Sequence, residues 1–178
     1  METGMIVTTT ILIALCASPF FLIGYSTKKR ENQLKKELKS IIAPLNGAIS
    51  EFDIINDFII GLDSTSHKIY FYKKAESDPF FQEINLNNVR SCEIEKSTNR
   101  IKKGKSFSNE IQNIALLFTL KNKDSLDRIE LYDYNKSTQI NGEIALADKW
   151  NKKINFFLLN NIHHEDKPHK RKKVLAVG

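Results

Sequence analysis

Cysteine, glycine and proline are scarce, at 2, 7 and 4 of 178 residues. Cys16 and Cys92 cannot form a disulfide framework; one lies inside a long apolar run and the other in the later mixed-polarity body, so both read as reduced or buried. The glycines, at positions 4, 24, 47, 61, 104, 142 and 178, are too scattered for a phosphate-cradling loop or a dinucleotide fingerprint. No HExxH, GxSxG or Cys-x-x-Cys occurs, which removes the strongest local signatures of zinc hydrolysis, serine acyl transfer and structural zinc. Helix-turn-helix spacing and zinc-finger cysteines are also missing, so no nucleic-acid partner is expected despite the basic balance. No catalytic residue, cofactor or metal is assigned, and the chain reads as a non-enzyme.

Charge is missing where its absence matters most. Between Glu2 and Lys28 the only ionisable side chains are Cys16 and Tyr25, and Met5 to Tyr25 has the length a helix needs to cross a bilayer. Ten Ile, Leu, Val and Phe residues lie from Ile6 to Ile23. At roughly −0.3 to −0.6 kcal/mol each near the bilayer centre, they outweigh Thr8, Thr9, Thr10 and Ser18. Met5, Ile11, Leu15, Phe20, Phe21 and Tyr25 mark the expected single-pass anchor, and Pro19 is tolerated as a kink. A secretory signal would put its charge before a shorter apolar run, which makes cleavage and export the lesser reading. Leu15 before Cys16 argues against lipidation. Lys28, Lys29 and Arg30 follow the run while only Glu2 precedes it, so the positive-inside rule directs the C-terminal body into the cytoplasm.

The net charge of +6 resides in the flanks. Lys28 to Ser40 holds six basic and two acidic residues, the tail from His163 holds five and two, and the segment between balances at sixteen each. Lys28, Lys29, Arg30, Lys35, Lys36 and Lys39 are therefore candidate contacts to an anionic lipid surface, each adding about 1 kcal/mol of attraction. Ser26 to Ala43 reads as a helix ended by Pro44. Its stripe of Leu34, Leu38, Ile41 and Leu45 could form the seam of a weak homodimer through Leu34, Leu38 and Ile41, pack on the chain's own domain or lie on lipid; two heptads are short for a coiled coil.

From Asp53 the pattern turns to strands. Ile54–Leu62, Lys68–Lys73, Phe80–Leu86, Val89–Lys96, Ile111–Leu120 and Arg128–Tyr134 give about six, with a polar connection from Ser97 to Asn109. A terminal helix follows, capped by Asn141, with Ile144, Ala147, Trp150, Ile154, Phe157 and Leu158 on its apolar face and Lys149, Lys152 and Lys153 outward. Phe118, Leu131, Trp150, Ile154 and Phe157 are expected in the core. The fold class is mainly β with α: an antiparallel barrel or bent sheet capped by a C-terminal amphipathic helix.

Three segments carry a likeness to a known family: the hairpin IIGLDSTSHKIYFYK, the turn INLNNV into a long strand, and the terminal helix with Trp150. Over residues 53–162 the order resembles bacterial pleckstrin-homology-like domains. The resemblance implies a seven-strand bent barrel capped by a helix, serving as a binding or assembly module. Family members that bind phosphoinositides carry several Lys or Arg in the first hairpin loop. Here that loop is Asp63 to His67 with Lys68 at its exit, so head-group recognition does not carry over.

The expected organisation is an anchor at 1–27, a basic juxtamembrane helix and linker at 28–52, the pleckstrin-homology-like domain at 53–162, and a basic tail at 163–178. The expected partners are the membrane and a protein that the sequence does not identify. The different-class alternative is a small enzyme or lipid carrier with an internal pocket. Cys92 with His67 could form a nucleophile and base, but a small buried thiol is the commoner fate. His163, His164 and His169 sit in a charged tail and receive no metal. Lys102, Lys103 and Lys105 suit a solvated loop or an acidic surface, and Asn135-Lys136-Ser137 matches a glycosylation acceptor that a cytosolic site would leave silent.

Overall fold

The computed structural model describes residues 2–75, 78–103, 106–121, 125–137 and 139–165; the side chains of 2, 3, 5, 17–26, 101, 103, 106 and 161–165 lie outside that description. One helix, α1, runs Glu2–Ile42. It passes without interruption from the expected anchor into the juxtamembrane segment, and a short 3-10 turn, Ala43–Leu45, holds Pro44 just beyond its end. Seven strands follow among the described residues: β1 Glu51–Ile55, β2 Phe58–Asp63, β3 Lys68–Lys73, β4 Phe80–Asn85, β5 Val89–Lys103, β6 Ser106–Leu120 and β7 Leu126–Asp133; α2, Glu143–Glu165, closes the order. Two antiparallel sheets result, β1-β2-β3-β4 and β5-β6-β7, and neither closes into a barrel.

Two strand assignments differ from the sequence reading. Ile54–Leu62 is two strands, because Asn56 takes a left-handed conformation (φ 49°) and turns β1 back onto β2, pairing Ile55 with Phe58. The connection Ser97 to Asn109 is a ladder, with Thr98 opposite Ile111 and Lys103 opposite Ser106. This two-stranded arm extends past the end of β7, and its described side chains are mostly exposed, so it lacks the apolar-polar alternation that announces a half-buried strand. It leaves the sheet at a bulge where Gln112 is the extra residue.

The main core lies between the sheets and α2. Phe58, Ile60, Ile69, Phe71, Ile114, Phe118, Ile129, Leu131, Trp150 and Ile154 are buried in one cluster, and Phe157 packs half-buried against it. On α2 the face is set by Leu146, Ala147, Trp150, Ile154 and Leu158. Ile144, expected inside, is exposed, and Leu146 two positions on takes its place. Asn141, expected to cap, instead donates its backbone N–H to the buried Glu143 carboxylate, which also accepts from Asn56 Nδ2 at 2.8 Å. Lys149 and Lys153, expected outward, reach back to β1: Lys149 meets Asp53 at 2.7 Å and Lys153 meets Glu51.

A second cluster sits on the opposite face of the first sheet. Leu34 and Leu38 of α1 are fully buried there with Ile42, against Ile59, Tyr70 and Tyr72. Leu34 and Leu38 of the stripe read from the sequence thus pack on the chain's own domain, with Ile41 partly buried beside them. Each such side chain contributes about 1.5–3 kcal/mol by leaving water. The joint is tight at Gly47, where a Cβ would stand 2.7 Å from the Tyr70 hydroxyl and 3.1 Å from Ile42.

Among the described residues no helix is long and apolar enough to cross a membrane. The side chains of Met5, Phe20, Phe21 and Tyr25, four of the six expected anchor markers, fall outside the description; Ile11 and Leu15 are exposed.

Trp150 joins α2 to both sheets, so Trp150→Ala should cost about 3–5 kcal/mol. Urea unfolding followed by circular dichroism measures this, and an unchanged midpoint would remove Trp150 from the core.

Candidate functional site

Two surfaces combine exposure with chemistry. The first is the outer side of α1. With 3.6 residues per turn, Lys28, Lys29, Lys36 and Lys39 fall on the half of the helix turned away from Leu34 and Leu38, and all four are exposed, as is Arg30. Lys35 departs from the expectation: it is half-buried, its ammonium 4.6 Å from the Phe52 ring centroid. The helix is pinned by Glu37, which accepts from Tyr72 Oη at 2.9 Å, Lys74 Nζ at 3.1 Å and Gln33 Nε2 at 2.9 Å. Burial works to raise the Glu37 pKa, yet the bonds from Lys74, Tyr72 and Gln33 outweigh it and hold the carboxyl below its ordinary value. Burial and the Glu37 charge push the Tyr72 phenol up.

The second surface is a groove where the two sheets splay apart. Two open depressions of about 510 and 420 Å³ adjoin through Lys73, Ala75 and Lys136. Their apolar walls come from Phe58, Phe71, Phe80, Leu131 and Tyr132. Leu131 is placed there by a bulge: Ile114 pairs with Tyr132 and Ala115 with Glu130, leaving Leu131 as the extra residue. The start of α2 reaches the rim through Asn141 and Glu143. A third depression, about 460 Å³, lies at the base of the arm between Ile111, Tyr132, Tyr134 and Ile140.

Neither of the reactive candidates is set up for chemistry. Burial and the Glu93 charge push the Cys92 thiol up to about 12, far from a thiolate at neutral pH. Its backbone is clamped instead: Asn155 accepts from Cys92 N at 3.0 Å and donates to Cys92 O at 2.7 Å. His67, left-handed at φ 57°, places Nδ1 2.8 Å from Asn87 Oδ1 and its ring edge-on to Phe157. The side chains of His163, His164, Lys103 and Lys105, and all of His169, lie outside the described residues; Lys102 is exposed. No group of metal-ligating side chains occurs among the described residues. Asn135 donates to Asp133 at 3.1 Å in a turn.

Sequence reasoning missed Asp63. It is buried at the end of β2 and accepts from Ala48, Thr65 and Ser66 backbone N–H groups at 2.8, 2.9 and 3.0 Å. Burial raises its pKa, but these bonds dominate and lower it. The Asp-Ser-Thr-Ser string announced a turn; the tie to the linker at Ala48 had no local signal.

Glu37 contributes stability that is fully present above the ordinary glutamate value and is lost as pH falls through the lower folded value. Glu37→Ala should therefore speed hydrogen exchange over residues 31–42 several-fold at neutral pH and weaken the acid dependence of unfolding. Equal exchange and equal acid dependence in both proteins would contradict the pin.

No protein-family profile, curated protein or solved structure matches the chain.

Proposed function

We propose that this chain is a single-pass, membrane-tethered interaction module: residues 5–25 cross the bilayer, the body lies in the cytoplasm, and a pleckstrin-homology-like domain docks a partner protein at the membrane surface. The supporting observation is the continuity of α1. A single helix carries exposed apolar residues at its start, with Ile11, Leu12, Ile13 and Leu15 between 54% and 67% exposed, and ends packed on the domain through Leu34, Leu38 and Ile42. An uncovered apolar stretch of that kind calls for a nonpolar environment, and the exposed lysines beyond it suit anionic head groups. A four-stranded and a three-stranded antiparallel sheet with a C-terminal helix support the pleckstrin-homology-like reading of the body. A filled core with open grooves supports docking of a partner over catalysis in an internal pocket.

Alkaline phosphatase fused after Gly178 in a bacterial host tests the topology. The fusion should remain silent, resist carbonate extraction and keep its N-terminus. Reversing Lys28, Lys29 and Arg30 to Glu should raise reporter activity at least tenfold. Strong activity in the unaltered fusion, or a mature N-terminus beyond Cys16, would overturn the proposal.

A further inference from the structure

Strand edges are adhesive, and this fold treats them unequally. The edge of β1 is crossed by α2, where the Trp150 indole N–H donates to Asp53 Oδ2 at 2.9 Å and Lys153 holds Glu51. The edge of β5 is closed at Cys92 by the Asn155 amide, which meets both its N–H and its C=O as a neighbouring strand would. The edges of β4 and β7 have no such cover among the described residues, but β4 meets the groove only through Phe80, whereas five residues line it from β7. From Asp127 to Tyr132 its backbone pairs with β6 alone among the described residues, so the outward N–H and C=O groups are unpaired. That edge borders the groove described above, which Arg128, Glu130, Leu131 and Asp133 line.

The groove also has a sign. Its three cations are already held: Lys73 lies 3.9 Å from Asp57, while Arg128 and Lys136 lie 3.2 and 2.6 Å from Glu130. Asp78 has no cation partner among the described residues, and Glu143 is bonded to amides alone. Five carboxylates against three cations thus line the groove, of which Asp78 is exposed and Glu143 buried, and the apolar floor of Phe58, Phe71 and Leu131 is fronted by the exposed Phe80.

We propose that this groove takes an extended, basic segment of a partner protein as an added strand along β7. The inference rests on the reading of the chain as an interaction module and specifies the docking element. Main-chain hydrogen bonds to β7 supply affinity. Side-chain alternation supplies selectivity, since successive residues of a strand point to opposite faces: aliphatic side chains enter the floor and the intervening Lys or Arg meet the carboxylates at the rim.

The test uses the full chain in nonionic detergent micelles and three end-blocked octapeptides: one alternating lysine with valine, one alternating glutamate with valine, and the lysine peptide with two central residues replaced by proline, which lacks the N–H a ladder needs. The lysine peptide should bind and slow hydrogen exchange within residues 127–132. The glutamate and proline peptides should bind at least tenfold more weakly. Asp78→Lys should weaken the lysine peptide at least tenfold, whereas Phe156→Ala, an exposed position on α2, should leave it unchanged. Equal binding of the basic and acidic peptides, absence of binding, or protection confined to another strand would overturn the inference. Lost peptide binding with the topology intact refutes the groove alone; export of the reporter with peptide binding intact refutes the membrane reading alone.

Discussion

Burial of the first sheet on both faces is the constraint from which the rest of this architecture follows. β2 is buried along its whole length and β3 along all but its ends, because the main core covers one face and the last three turns of α1 cover the other. A strand in that position needs apolar residues throughout, which is why Phe58-Ile59-Ile60-Gly61-Leu62 shows no alternation. It also explains the fittings around the joint. Gly47 gives room to the Tyr70 hydroxyl, Glu37 collects the polar groups at the rim, and Asp63 binds the linker at Ala48 to the first hairpin. The helix that approaches from the N-terminus is therefore part of the domain's own packing.

The second sheet is held by α2. Trp150 and its lysine neighbours reach β1, while Asn155, one turn further on, reaches β5; a single helix thus spans an opening that neither sheet closes by hydrogen bonds. The same economy leaves β4 and β7 bare among the described residues. Where α2 crosses the edge of β1 and clamps that of β5, the unpaired edge of β7 beside an apolar, acid-rimmed groove is where a further strand fits with least rearrangement.

Much of this was legible in the sequence, and the misses have physical causes. The terminal helix, the hairpin around Asp63 to His67 and the mainly β body follow from period and turn chemistry. The stripe of Leu34 and Leu38 was visible, but a stripe shows that something covers it and not what does. The β1-β2 turn was hidden because Asn56 and Asp57 sit inside an apolar run that loses its alternation when both faces are buried. The arm from Ser97 was hidden for the converse reason: exposed residues on both faces of a ladder read as a loop. Ile144 and Leu146 are both apolar and near the start of α2, and only tertiary packing distinguishes them. The groove itself depends on the bulge at Leu131, which leaves no mark in local composition.

The docking of α1 on the outer face of the first sheet is measured most directly by hydrogen exchange on the full chain carrying Leu34→Asp with Leu38→Asp. If that contact supports β2 and β3, amides within residues 58–63 and 68–73 should exchange at least tenfold faster than in the unaltered chain while those of residues 114–120 keep their protection. Unchanged protection of β2 and β3 would contradict it.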